Sequence, residues 1–515
     1  MKEDKSTSKS ISFNMLASVA SFAVSICISL FITPVIVEKL GSEAYGFVSL
    51  ANSFVSYAAL ITVALNSMES RYVSIELYKQ NYEGANKYFT SVFFANLVIA
   101  LVLAPIMGVF IIKMDSFLDI PQSLLGDVRI TFAIVFLQFF IEILTSRFEI
   151  ATFVTNRLNL YYINSIISAF IRLLVILVGF NLFSVKIVFL VLGSLAGKIF
   201  VVSKNVYYTE TFIPELKINR KYFDIKSIKE VVSAGVWNLV SKLSGILLDG
   251  LDLLIANIFI GAAEMGALSL SKTIPALFLS LRGTLDYPFS PPMTKCYAEN
   301  DIDGVIKYAR TGNKVLGMFM IAPMAVFLVF GENFFQLWVP SQNARLLQIL
   351  SLLSIISLLA GSCINSVFTI FTITNHVREN SLVILATGIA TTGTVFLLLK
   401  TTNLGVFAIA GVSSFYGLIR NLVFTPLYGA HCLGVKKSTF YREIIVGNIC
   451  LAIDVVISFG ISCTISVHGW ASMILACGLS GIICVAINFI IVLSKEDKHF
   501  VLERIRKERK SRRHP

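Results

Sequence analysis

Four cations sit inside long apolar stretches of this 515-residue chain: Arg172, Lys198, Lys242 and Lys272. Asp249 and Asp252 share a stretch with Lys242, and Asn52 lies in another. An ionisable group held in hydrocarbon costs about 3 kcal/mol or more, so it normally faces a cavity or a partner. The chemistry open to such groups is binding, because a cation at mid-depth can replace the water around an anion. Two roles compete at each position. Lys272 can line a ligand cavity, or it can pair structurally with Asp249 or Asp252. Arg172 and Lys242 leave the same choice open. Glu142, Arg147 and Glu149 do not all share one helical face and read as a loop-anchoring ion pair. Arg420 is placed to reach the inner surface, and Asp454 has no partner that the sequence names. Near the start of the chain Asn14, Ser18, Ser21, Ser25, Ser29 and Thr33 recur every three or four residues. That face either borders a polar path or serves tight helix packing.

No bond-breaking machinery accompanies these groups. The sequence has no H-E-x-x-H, G-x-S-x-G or Walker A pattern. Its eight cysteines form no C-x-x-C pair and its five histidines are scattered, so neither a metal nor a disulfide is expected. The expectation is a chain with no catalytic residue, no metal and no cofactor; which ion, if any, drives it is left open.

The elements that must position these residues follow from composition. Apolar residues make up 56% of the chain and charged ones 14%, against roughly a quarter charged in a soluble domain. A water-soluble enzyme is excluded, and so is a single-pass receptor, because apolar segments recur throughout. About fourteen such segments, from 11–37 to 470–494, are long enough to cross a bilayer. They are read as helices, since spanning segments must pair their own backbone groups. The first is too long for a cleavable leader. Basic residues crowd alternate loops, from Lys2, Lys5 and Lys9 through Arg71, Lys79 and Lys87 to Lys436 and Lys437, which places both termini in the cytoplasm. The same bias accounts for most of the +12 net charge and leaves no case for nucleic acid. Short interfacial helices are expected at 69–88, 209–229 and 291–310. The basic tail 495–515 reads as a solvated helix or a segment drawn to anionic lipid.

The chain also matches itself at an offset of 220. Gly41, Gly46, Leu50 and Leu65 recur as Gly261, Gly266, Leu270 and Leu285, and Gly84, Lys87 and Tyr88 as Gly304, Lys307 and Tyr308. Lys272 takes the repeat position of Asn52. Two six-helix lobes follow, 1–228 and 229–440, entering the membrane from one side and related by a two-fold along its normal. The segment 441–494 adds two helices. The expected fold is an all-α polytopic membrane protein.

The run Asp252-Leu-Leu-Ile-Ala-Asn-Ile-Phe-Ile-Gly261, followed by Gly266-Ala-Leu-Ser-Leu-Ser-Lys272-Thr-Ile-Pro275 and Tyr287-Pro288, resembles the second-lobe opening of Wzx-type polysaccharide flippases. These belong to the multidrug/oligosaccharidyl-lipid/polysaccharide exporter superfamily. Leu40-Gly-Ser-Glu-Ala-Tyr-Gly46 resembles the first turn of that family. The resemblance covers nearly the whole chain and implies alternating-access flipping of a saccharide linked to a polyprenyl phosphate or diphosphate in the cytoplasmic membrane. Lys242, Lys272, Arg172 and Lys198 would then replace the hydration of the phosphate while the apolar tail stays in lipid. The partners implied are the lipid-linked saccharide and membrane lipids, with a monomer as the expected unit and contacts to polysaccharide assembly proteins conceivable. A cation-coupled multidrug exporter of the same superfamily is the alternative, with Asp249 and Asp252 as its carboxylates. A membrane glycosyltransferase or polymerase lacks the outer loop it would need.

Overall fold

The structure, a computed structural model, describes residues 2–155, 157–286 and 289–492, with the side chains of 2–22, 25, 158 and 284 excepted. Tyr287, Pro288 and the basic tail lie outside the described residues. All regular structure among the described residues is helical. The chain divides into two compact units, Met1–Leu270 and Ser271–Pro515. Packing draws the line at Leu270, whereas the duplication in sequence begins near residue 229. One criterion records which helices touch, the other which segments were copied.

In the first unit a helical run covers Lys2–Tyr78, broken at Gly41, whose φ of 85° is a left-handed conformation that only glycine adopts without strain. The run is therefore two helices, α1 (2–40) and α2 (42–78). Next come α3 (Tyr82–Lys113), α4 (Leu125–Thr145, extended by short turns to Val154), α5 (Leu158–Leu182), α6 (Val188–Phe212), α7 (Ile225–Gly245), α8 (Asp252–Phe259) and α9 (Ala262–Ser271). Consecutive α5 and α6 pack along their lengths, and α7 packs on α2. Gly235 on α7 has no room for a side chain, since a Cβ there would overlap the Ala64 carbonyl oxygen. Small residues of this kind let membrane helices approach closely.

The second unit holds α10 (Thr273–Asp286), α11 (Ser290–Ala298), α12 (Ile302–Trp338), α13 (Ala344–Ser362), α14 (Val367–Ile373), α15 (Val377–Thr401), α16 (Val406–Ile419), α17 (Thr425–Cys432), α18 (Tyr441–Thr464) and α19 (Trp470–Val492). Helix α12 is its centre, packed by α13, α18 and α19. Its buried stripe includes Leu316, Met320, Ala325, Phe330 and Phe335.

Among the described residues twelve helices are long and apolar enough to cross a membrane, against the fourteen apolar segments read from the sequence. The kink at Gly41 splits the first of these helices in two. The interfacial helices fare less well. Residues 69–78 continue α2, and 209–229 holds the end of α6, a single turn at Arg220–Tyr222 and the start of α7; at 291–310 the short α11 does stand before α12. Charged composition marks a loop but does not distinguish a helix along the surface from a spanning helix that protrudes beyond it.

The repeat survives in the geometry of its turns. Gln80 and Asn300, 220 residues apart, have positive φ of 59° and 58°. The residues after them, Asn81 and Asp301, cap α3 and α12 by accepting from the amides of Gly84 and Gly304 at 3.1 and 2.8 Å. A third cap, Asp224 at the start of α7, accepts from Ser227 Oγ at 2.7 Å and from the amides of Lys226 and Ser227. The Ser227 hydroxyl, followed by these amides, holds its carboxyl below the usual carboxylate range. This contribution to stability is present above the ordinary aspartate pKa and is lost as the pH falls through the lowered one. Asp224→Ala is expected to destabilise the start of α7 by about 1 kcal/mol. Hydrogen exchange of the Lys226 and Ser227 amides would measure it; unchanged rates would count against the cap.

Candidate functional site

Several charged residues picked out from the sequence lie where helices break. Between α7 and α8 the chain forms a π-turn over Ile246–Gly250. Asp249 is exposed within that turn, and Asp252, 5% exposed, opens α8. The Tyr57 hydroxyl of α2 donates to the Gly250 carbonyl at 2.6 Å. In the second unit Lys272 is the half-buried residue between α9 and α10. The carbonyl of Ser271 beside it accepts from Ser351 Oγ at 2.7 Å. Arg420 opens another π-turn, Arg420–Phe424, with its guanidinium 5.8 Å from the Phe368 ring. A break frees backbone groups that only a polar neighbourhood or a water-filled space can satisfy, so broken helices and charged side chains occur together.

Lys242 and Arg172 sit on continuous helix, and both are exposed. Lys242 lies seven residues beyond Gly235, on the flank of α7 that α2 covers lower down. Arg172 lies near the middle of α5, where its backbone and Cγ crowd Gly193 of α6. Among the described residues neither cation has a carboxylate within ion-pair distance. Lys198 differs: it pairs with Glu142 at 3.3 Å. Asn52 is exposed, and its amide donates to the Val48 carbonyl of its own helix at 2.9 Å. The side chains of Asn14, Ser18 and Ser25 lie outside the described residues; Thr33, on the same face, is buried and bonded back to Ser29.

The proposed anchor on α4 is rearranged. Arg147 pairs with Glu69 of α2 at 3.5 Å rather than with Glu142 or Glu149. Its nitrogens also donate to the carbonyls of Phe89, Ile143 and Leu144, and it faces the Phe93 ring at 5.1 Å. Spacings of two and five residues had already argued against one shared face, and the partners come from other helices.

One contact in the first unit is not apparent from the sequence. Ser269 Oγ of α9 donates to Ser49 Oγ of α2 at 2.7 Å, and the two residues are 220 positions apart. One turn earlier Gly46 meets Gly266, so that a Cβ on Gly46 would lie 2.9 Å from the Gly266 Cα. Both pairs, Ser49 with Ser269 and Gly46 with Gly266, are 220 residues apart, the offset at which the sequence matches itself. Its one mark in the sequence is that each serine precedes a leucine already matched, Leu50 and Leu270. Asp119, in the loop before α4, also reaches α9. It exchanges two hydrogen bonds with Asn257 of α8, at 3.0 and 2.9 Å, and accepts from the Ala262 amide at 3.1 Å. Gly266→Val would drive a side chain into the Ser42 and Glu43 backbone, an overpacking of about 1–3 kcal/mol. It is expected to raise labelling of a cysteine placed at Ser49; unchanged labelling would show that the contact is not tight.

The described residues thus form a many-helix membrane bundle with broken spans and two exposed cations on its helices. A family model described as polysaccharide biosynthesis protein matches residues 35–342. An uncharacterized membrane protein, EpsK, of Bacillus subtilis (strain 168) is 31% identical over 499 residues, covering 96% of this chain and 98% of that protein. The chain belongs to the polysaccharide biosynthesis protein family. Its fold is that of the lipid II flippase MurJ in an inward closed conformation (TM-score 0.67, 15% identity, 92% of this chain and 97% of that one). It also matches an inward-facing multidrug resistance transporter of the MATE family (TM-score 0.61, 13% identity, 80% and 94%).

Proposed function

We propose that this transporter flips a saccharide carried on a polyprenyl phosphate or diphosphate across the cytoplasmic membrane, with both termini inside, to supply a cell-surface polysaccharide. The observation that carries the reading is the pair of exposed, carboxylate-free cations Lys242 and Arg172 on the helices of the first unit. Facing acyl chains, each would cost about 3 kcal/mol or more; facing a wet path, each can take over the hydration of a phosphate. The repeats 1–228 and 229–440, with 441–494 appended, are the parts that would exchange access, and the contact between Ser49 and Ser269 would be the closed end of that path. Lys272, Asp249 and Asp252, at the helix breaks, are proposed to border it. No step needs a nucleophile or a proton acceptor, because no bond of the cargo is made or broken.

The test is export in cells. Lys242→Ala and Arg172→Ala are each expected to lower surface polysaccharide at least about tenfold, the effect of ~1.4 kcal/mol on a barrier, with membrane abundance unchanged. Normal polysaccharide in both variants would remove the phosphate-binding role. Loss of cationic-dye export without loss of polysaccharide would point to the multidrug reading.

A further inference from the structure

The acid in the terminal helix pair, Asp454, acquires a partner in the structure. It is 0% exposed on α18, and its Oδ2 accepts from Asn488 Nδ2 of α19 at 2.7 Å. Asn488 is also 0% exposed. One turn away Cys484 Sγ lies 3.7 Å from the Asp454 carbonyl and 3.9 Å from Ser458 Oγ, so a polar seam joins the two helices. The donors do not balance the acceptors. Asp454 Oδ1 and Asn488 Oδ1 are both buried and have no hydrogen-bond partner among the described residues.

A buried carboxylate with one amide donor and no cation is among the costliest arrangements in a protein interior, and in hydrocarbon the cost is higher. Turning the Asn488 amide over does not help. Its oxygen would then oppose Asp454 Oδ2, a contact that itself needs a proton. One hydrogen on the carboxyl neutralises the charge and supplies the missing donor in either orientation. Sodium would need more oxygens than the two left open.

Among the described residues the surroundings offer Asp454 no cation. Helix α12, packed on both α18 and α19, carries Asp303, Lys307, Arg310 and Lys314 towards one end and Glu332 towards the other. Arg310 is held by the Thr439 carbonyl and Glu443. Helix α13 contributes Arg345 at its start and Cys363 just beyond its end, α18 contributes Arg442, Glu443 and Cys450, and α19 contributes Cys477 and Cys484. Among the described residues none of these bases forms an ion pair with Asp454.

We propose that Asp454, closed over by Asn488, is a proton-binding site that is loaded when α18 and α19 are packed. The inference does not depend on what the protein carries. Losing the proton leaves a bare buried charge between the two helices, so the packed pair holds one proton more than the loosened pair and weakens as the pH rises.

The purified full chain in lipid nanodiscs provides the test. Infrared difference spectra between wild type and Asp454→Asn are expected to show a protonated-carboxyl stretch that the variant loses. The unfolding midpoint of the wild type is expected to fall from about pH 5 to about pH 9 more steeply than that of the variant, whose amide imitates the neutral acid. Asn488→Ser, which keeps the acid and changes its partner, is expected to move the stretch without abolishing it, and covers the case in which Asp454→Asn does not fold. Absence of the stretch in wild type overturns the proposal. So does an identical spectrum in Asn488→Ser, or a midpoint that responds to sodium in place of choline at fixed pH in wild type alone. Polysaccharide export is a separate readout, so failure here leaves the flippase reading standing.

Discussion

With cysteine at both Ser49 and Ser269, oxidation is expected to abolish transport and reduction to restore it. The two hydroxyl oxygens are 2.7 Å apart, so sulfurs in their places start within reach of a bond. The backbones are already as close as Gly46 and Gly266 allow, leaving little to rearrange. If the contact is the closed end of an alternating path, it must part once in each cycle, and a covalent link prevents that. The full-length chain has eight cysteines of its own, with Cys27 and Cys463 exposed, so the pair belongs in a background where these are replaced. The measurement is polysaccharide export before and after oxidant, with the single-cysteine variants as controls. Undiminished export by the crosslinked protein would show that α2 and α9 never separate there and would sink alternating access through that end.

Removing the Arg147 side chain should have the largest effect on stability. The side chains of Arg147 and Glu69 are 0% and 3% exposed, and the guanidinium also serves three carbonyls on α3 and α4. Breaking a buried pair from one side leaves an uncompensated charge, at a cost of about 3–5 kcal/mol. Arg147→Met is therefore expected to lower the unfolding midpoint sharply, and Arg147→Met with Glu69→Met to recover much of the loss. Unfolding of the wild type, the two single variants and the double variant forms the cycle that isolates the pair. A double variant no better than Arg147→Met alone would mean that the carbonyl contacts and the Phe93 face, rather than Glu69, account for the stability.

These residues differ in how much of their role the sequence reveals. Gly46 and Gly266 were visible as repeat mates, but that they touch was not, because a repeat gives equivalence and says nothing about distance from the axis. Lys272, Asp249 and Asp252 stood out because charge in an apolar run is conspicuous; the helix breaks beneath them did not, although Gly250 and Pro275 stand beside them. The sequence assigned Lys198 to the cargo's phosphate and Arg147 to a pair with Glu142 or Glu149. One became half of a partly exposed pair with Glu142, the other the centre of a buried network. Asp454 had no partner within its own helix and found one on the next.

Sequence alone determined that this is an all-helical polytopic membrane protein, because hydrocarbon imposes a residue-by-residue requirement that any apolar run of sufficient length declares. It also marked Gly41 and Gly261, both of positive φ, as matched glycines, because a turn acts within a few residues of itself. Tertiary structure decided which charges are paired and which exposed, where repeat mates meet, and that Asp454 faces Asn488. Those depend on side chains from helices far apart in the chain, brought together by packing whose rotation and depth no local pattern encodes.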